Sequence, residues 1–210
     1  FTYAAFNKER GVAPGLPSLS DFRTTYPVRS ITRDTAVFGL LGDPVGHSYS
    51  PVLHNHMFRR MQVDAVYLPF RVPKGSDLAA GVAAYAGVPV AGYSVTIPHK
   101  EAAAGLAAEA DETVARAGAA NTLVARSGGG FAAFNTDYPA ILDALHANRA
   151  ERTAAGDVPP PFAQTFALVL GAGGAARAAA FGLQREGVHV TVAARTFDRA
   201  AKLAGEVGCK

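Results

Sequence analysis

The chain has 210 residues, 49% hydrophobic and 18% charged, which suits one ordinary globular domain or a pair of small ones and excludes a disordered chain. Its 20 basic and 17 acidic residues leave a formal charge of +3, far from the clustered basic face that nucleic-acid binding requires. One cysteine, Cys209, excludes an internal disulfide and a cysteine-rich zinc site, and points to a reducing, cytoplasmic compartment.

Residues 1–34 carry no sustained period and are punctuated by Gly11, Pro14, Gly15, Pro17 and Pro27, so they read as a linker or tail without regular structure. The run 36–41 predicts a buried strand, and Pro51, at the favoured first helical position, opens a helix to about Arg60. The pattern repeats as a strand over 65–70, a helix over 77–85, a strand over 90–95 and alanine-rich helices over 100–117. Two short strands, 121–125 and 131–134, flank Ser127-Gly128-Gly129-Gly130, and a helix over 139–150 follows. The uncharged stretch from Leu78 to His99 reaches membrane-spanning length, but Gly81, Gly87, Pro89, Gly92 and Pro98 divide it into helix, turn and strand, so no span is expected.

Residues 151–164, with Pro159-Pro160-Pro161, are expected to form a stiff linker at a domain boundary. Beyond it lie a strand over 166–170, a helix over 173–186, a strand over 188–193 and a helix from about Asp198. That is one βαβ unit and a helix, less than half of a dinucleotide-binding domain of about six strands. The fold class is therefore α/β, with a mostly parallel-sheet domain over 35–150 followed by a partial Rossmann domain over 165–210. The chain opens on Phe1 and closes directly after a helical pattern, which predicts a piece of a longer protein.

Gly171-Ala172-Gly173-Gly174-Ala175-Ala176 fits G-x-G-x-x-A between a strand and a helix. The first glycine permits the tight turn, the second lets the backbone approach a pyrophosphate, and the third small residue packs helix on strand. The helix N-terminus offers amide donors and positive dipole to phosphates. The bland alternative is an alanine-rich turn. About twenty residues on, an NAD enzyme carries an acid for the ribose hydroxyl; here stand Ala194-Arg195-Thr196, with Arg199 one helical turn later. Two guanidinium groups and a hydroxyl suit a 2′-phosphate, so the expected cofactor is NADP. Arg199 also fits a solvated helix position.

Three further polar constellations stand at strand exits. In Gly42-Asp43-Pro44-Val45-Gly46-His47-Ser48-Tyr49-Ser50-Pro51, the hydroxyls of Ser48 and Ser50 precede a helix, where they either cap it or hold a carboxylate. In Ser94-Val95-Thr96-Ile97-Pro98-His99-Lys100, Lys100 is either a snorkelling surface residue or a proton-transfer group beside a carboxylate, and His99 reads as a helix-start residue. Gly118-Ala119-Ala120-Asn121-Thr122 and Phe134-Asn135-Thr136-Asp137 form the third. His54 and His56 are two apart on a helix and face different ways, a poor metal site.

Taken in order, the 42–51 run with His54-Asn55, the Val95–Lys100 run, Ala119–Thr122, Asn135–Asp137 and the Gly171 loop with Arg195-Thr196 resemble the shikimate dehydrogenase family over residues 36–210. The resemblance implies an N-terminal α/β domain for shikimate or 3-dehydroshikimate, a Rossmann domain for NADP, and reversible reduction of the 3-keto group on the route to chorismate. It implies Ser48 and Ser50 at the carboxylate; Thr96, Asn121 and Asp137 at the ring hydroxyls; and Lys100 with Asp137 as the catalytic pair. Gly171, Ala172, Gly173, Gly174, Ala175, Arg195, Thr196 and Arg199 would bind the cofactor. Ser94 and Ala194 depart from the family, which usually has asparagine at both positions.

Phe1-Thr2-Tyr3-Ala4 and Ala13-Pro14-Gly15 resemble the end of a type I 3-dehydroquinate dehydratase, although Val12 and Leu16 replace the usual serine and glutamine. This implies a fusion of the two activities. Two other readings stay open: a quinate dehydrogenase using NAD, and a non-catalytic remnant that binds shikimate without turnover.

Overall fold

A computed structural model describes residues 17–210. The tail residues that carry the dehydratase resemblance, 1–16, lie outside the described residues. The chain divides into two compact units, one ending at Thr96 and the other spanning Ile97–Lys210.

The first unit contains helix α1 (Leu19–Thr25), strand β1 (Ala36–Gly42), helix α2 (Ser50–Arg60), strand β2 (Ala65–Arg71), helix α3 (Leu78–Ala83) and strand β3 (Val90–Val95). Helix α1 corrects the expectation that residues 1–34 lack regular structure. The Ser18 hydroxyl accepts from the Asp21 N–H at 3.1 Å, an N-cap that starts a short helix between Pro17 and Pro27. Strand β1 lies between β2 and β3, parallel to both, with Gly39 opposite Leu68 and Tyr93. Such central parallel strands need apolar residues on both faces, and Leu40, Leu41, Val66, Phe70, Tyr93 and Val95 are buried accordingly. Gly39 leaves space for the rings of Phe70 and Tyr93, which meet edge to face at 5.4 Å between centroids.

The second unit contains helix α4 (Lys100–Leu106), the two-residue strand β4 (Glu109–Ala110), helix α5 (Glu112–Ala117), strands β5 (Thr122–Ala125) and β6 (Phe131–Phe134), and helix α6 (Asp137–Ala154). A 3₁₀ turn (Phe162–Gln164) leads to strand β7 (Phe166–Leu170), helix α7 (Gly174–Arg185), strand β8 (His189–Ala193) and helix α8 (Phe197–Val207). Strand β6 pairs antiparallel with β5 and parallel with β4, and β7 runs parallel to β8. The α/β class and the mostly parallel pairing agree with the expectation from sequence.

Two boundaries differ from it. The alanine-rich stretch over 100–117 is broken by β4, and Asp111 starts a new helix by accepting from the Val114 N–H at 2.7 Å. Helix α6 continues past position 150 to Ala154, because no breaker intervenes before Gly156, which adopts φ +85°. The segment from β7 to α8 has its own apolar cluster, including Val169, Ala180, Val188, Val190, Val192 and Leu203. Among the described residues, no helix is long and apolar enough to cross a membrane.

Candidate functional site

In the first unit, the turn after β1 delivers Ser48 and Ser50 to the start of α2. The N-cap position belongs to Tyr49, which makes no side-chain cap bond, so neither serine is consumed in the cap its position first suggested. Instead the Ser48 hydroxyl donates to Ser50 Oγ at 3.1 Å and accepts from the Ser50 N–H at 3.2 Å. Two adjacent, half-buried hydroxyls therefore sit at a helix N-terminus, where the dipole favours an anion. Thr96 follows β3, its N–H donating to the Leu41 carbonyl at 2.8 Å, which fixes the backbone there.

Tyr67, on β2, is a residue the sequence did not single out. It is 3% exposed, its hydroxyl has no hydrogen-bond partner, and its ring stacks on His54 at 4.4 Å. Burial raises the phenol above its ordinary value; the Ser94 and Ser50 hydroxyls act against that shift, yet neither closes a well-formed hydrogen bond with it. The phenol therefore remains a proton-bearing donor at neutral pH. Asn55, 1% exposed, locks this arrangement from below. Its Nδ2 donates to the Pro51 and Tyr67 carbonyls and its Oδ1 accepts from the Tyr67 N–H, all at 2.8 Å.

In the second unit, Lys100, Asn121 and Asp137 come together. Lys100 Nζ donates to Asp137 Oδ2 at 2.5 Å, and both side chains are largely shielded, at 15% and 25% exposure. This excludes the snorkelling reading of Lys100. Asn121 Nδ2 donates to Asp137 Oδ1 at 2.9 Å and to Thr136 Oγ1 at 2.8 Å. Each carboxylate oxygen of Asp137 thus has a donor of its own. Buried Asn135 sets the turn: its Nδ2 donates to the Ala119 carbonyl at 2.8 Å, and its Oδ1 accepts from the Asp137 and Tyr138 N–H groups at 3.0 and 3.2 Å. His99 is buried at the N-cap of α4, as a helix-start residue should be.

The glycine turn joins β7 to α7. Gly171 adopts φ +121°, a conformation open to glycine alone among common residues, and a Cβ on Gly173 would meet nothing within 4 Å. A cleft of about 640 Å³ opens at the ends of β7 and β8, lined by Gly171, Ala172, Arg195, Thr196 and Arg199 among others. Thr196 is the N-cap of α8 and makes no side-chain cap bond. Arg195 is exposed, whereas Arg199 donates to Glu101 Oε1 at 2.7 Å and to the Ala172 carbonyl at 3.1 Å. Open space over the glycines, amides at a helix start and two guanidinium groups at the rim fit a dinucleotide with a 2′-phosphate.

A parallel α/β framework that presents two adjacent serine hydroxyls at a helix start, a largely shielded lysine–aspartate pair and a glycine turn at the end of a strand defines a class of α/β proteins with a polar cluster and a dinucleotide-type cleft. The family model for the shikimate dehydrogenase substrate binding domain matches residues 40–123. Over these residues the chain is similar to the shikimate dehydrogenase family. It is 36% identical over 213 aligned residues to the bifunctional 3-dehydroquinate dehydratase/shikimate dehydrogenase of Arabidopsis thaliana, covering 100% of this chain and 35% of that protein. It is 43% identical to the shikimate dehydrogenase (NADP(+)) of Methanocella arvoryzae, over 80% of this chain and 57% of that protein. The crystal structure of the Thermus thermophilus shikimate 5-dehydrogenase in complex with NADP(H) and shikimate superposes with a TM-score of 0.66 and 35% identity, covering 83% of this chain and 62% of that one. The chain thus spans between about a third and three fifths of these relatives' lengths.

Proposed function

We propose that the protein is an NADP-dependent shikimate dehydrogenase that interconverts 3-dehydroshikimate and shikimate. The observation that carries this reading is the shielded Lys100–Asp137 pair, steadied by Asn121, in a chain that also has an anion loop and a dinucleotide-type cleft. When bound in that cleft, the cofactor supplies or accepts the hydride. The chain's own residues provide position and the proton. Ser48, Ser50 and the protonated Tyr67 hydroxyl offer donors to the substrate carboxylate, with the N-terminus of α2 adding its dipole. Thr96, Asn121 and Asp137 contribute the polar atoms for ring hydroxyls.

Lys100, as an ammonium, gives a proton to the oxygen that becomes the alcohol during reduction and takes one back during oxidation. Asp137 holds the ammonium on one side while Asn121 prevents the carboxylate from rotating away. Arg195 and Thr196 would meet the 2′-phosphate, joined by Arg199 once it leaves Glu101. The separate apolar cluster of residues 166–207 supports a functional boundary at 151–164 between a substrate domain over 35–150 and a cofactor domain from 165. Alignment of the Arabidopsis bifunctional protein over all of this chain supports the further reading that residues 1–34 continue a dehydratase. A cytoplasmic location remains part of this proposal, resting on the lone cysteine.

The test is steady-state oxidation of shikimate by wild type and Lys100→Ala, with calorimetric titration of shikimate and NADP. Lys100→Ala is expected to lower kcat by about 10²–10⁴-fold, the usual yield of a positioned proton donor, while the NADP Kd stays within about twofold. Wild-type turnover in the variant removes the lysine from the mechanism. Shikimate binding by wild type without turnover or NADP binding favours the non-catalytic remnant.

A further inference from the structure

The G-x-G-x-x-A spacing explains Gly171, Gly173 and Ala176, but leaves position 174 unspecified. Glycine stands there nevertheless, as the first residue of α7. Its backbone does not demand it, since Gly174 is absent from the positive-φ glycines that include Gly171. In a helix, glycine costs about 0.5–1 kcal/mol relative to alanine. Something other than the turn must favour it.

The neighbour is Lys100. A Cβ on Gly174 would lie 2.5 Å from Lys100 Cβ, 3.0 Å from its Cδ and 3.3 Å from its Cγ. The nearest of these atoms cannot escape by a rotamer change. The Lys100 Cβ is fixed to the backbone at the first residue of α4, so a side chain at 174 would force the starts of α4 and α7 apart. The lysine stem lies flat across Gly174 while its ammonium is held by Asp137 at 2.5 Å.

We propose that Gly174 is a positioning residue for Lys100: by lacking a side chain it lets the start of the nucleotide helix serve as the floor under the proton donor. This rests on the reading of Lys100 as that donor. One turn of backbone then faces the cofactor at Gly171 and Gly173 and the catalytic lysine at Gly174. Reactions that depend on prealigned groups lose about 10²-fold for a misplacement of about 1 Å.

Gly174→Ala tests it. With both substrates saturating, kcat is expected to fall about 10–100-fold, while the NADP Kd, titrated without shikimate, stays within about twofold. In a Lys100→Gly background, where both the colliding stem and the ammonium it carries are gone, Gly174→Ala should change the residual rate less than about twofold. Two results overturn the proposal: a weakened NADP Kd with kcat retained at saturation, which makes Gly174 a cofactor residue only, or the same fold loss with and without Lys100. If Gly174→Ala alone does not fold, Lys100→Gly/Gly174→Ala, which removes the collision, should recover a cooperative melting curve; failure to recover it also overturns the proposal. An inactive wild type that binds neither shikimate nor NADP defeats the functional reading as well, whereas an active wild type matched by an equally active Gly174→Ala defeats this inference alone.

Discussion

Asn55 shows how much of the anion loop hangs on one amide. Its three bonds, each 2.8 Å, join the first turn of α2 to both backbone groups of Tyr67, so the serines and the phenol are held in one frame. Asn55→Ala would strand both backbone groups of Tyr67, at a cost of about 2–3 kcal/mol. Urea unfolding should show this as a lower midpoint with an unchanged slope, and a midpoint like wild type would contradict the account. Lys100, Asn121 and Asp137 were legible because their motifs stand at strand exits, where chemistry is expected. Tyr67, and the contact of Gly174 with Lys100, were not. The importance of Tyr67 arises from the register of β2 within a parallel sheet, and that of Gly174 from a contact with a residue on another helix; neither relation is encoded in local spacing. Asn55 stood inside a quoted motif, but its bonding to a strand twelve residues away has no periodic signature.

At the scale of elements, the βα turn at Gly171 followed the sequence closely because positive φ and a tight approach leave few residue choices. The end of α4 and the ends of α6 were less legible, since alanine favours helix almost everywhere and gives no stopping signal. Under the proposed function, the tip of β8 and the start of α8 would decide cofactor choice. Arg199 is already engaged by Glu101 and the Ala172 carbonyl, and an exposed pair of this kind is worth about 0–1 kcal/mol, so a 2′-phosphate can displace it cheaply. Under the same proposal Arg195, exposed at the cleft, has the more direct role. Arg195→Ala should raise the NADP Kd about tenfold, equivalent to about 1.4 kcal/mol, and leave the weak binding of NAD unchanged. Fluorescence titration with both nucleotides measures the ratio; equal loss for both would mean that Arg195 does not read the 2′-phosphate.

Across the whole molecule, stability should follow pH through two neighbours in the first unit. Burial depresses the His54 imidazole, so it stays neutral in the fold while the unfolded chain takes up a proton near about pH 6.5. Its contribution is full above that value and declines as pH falls below it, until the folded imidazole also titrates. Burial raises the Tyr67 phenol, giving the opposite limb: stability is full below about pH 10 and declines above it. Melting temperatures should therefore form a plateau between these limits, and His54→Gln should flatten the acid limb; an unchanged limb would assign it to other groups. The α/β class was legible at this scale because strand and helix periods alternate over most of the chain, while α1 was hidden by the prolines around it. One contact has a bearing on redesign. Arg177, on α7, donates through Nε to the Ala117 carbonyl at 2.6 Å, pairs with Glu206, and fills the space over Gly118, which adopts φ +63°. The helix that begins at the glycine turn thus also braces the loop leading to Asn121. A transplanted nucleotide module with another residue at 177 would leave that loop without its brace, so exchanging cofactor modules between relatives should succeed only where this arginine travels with the graft.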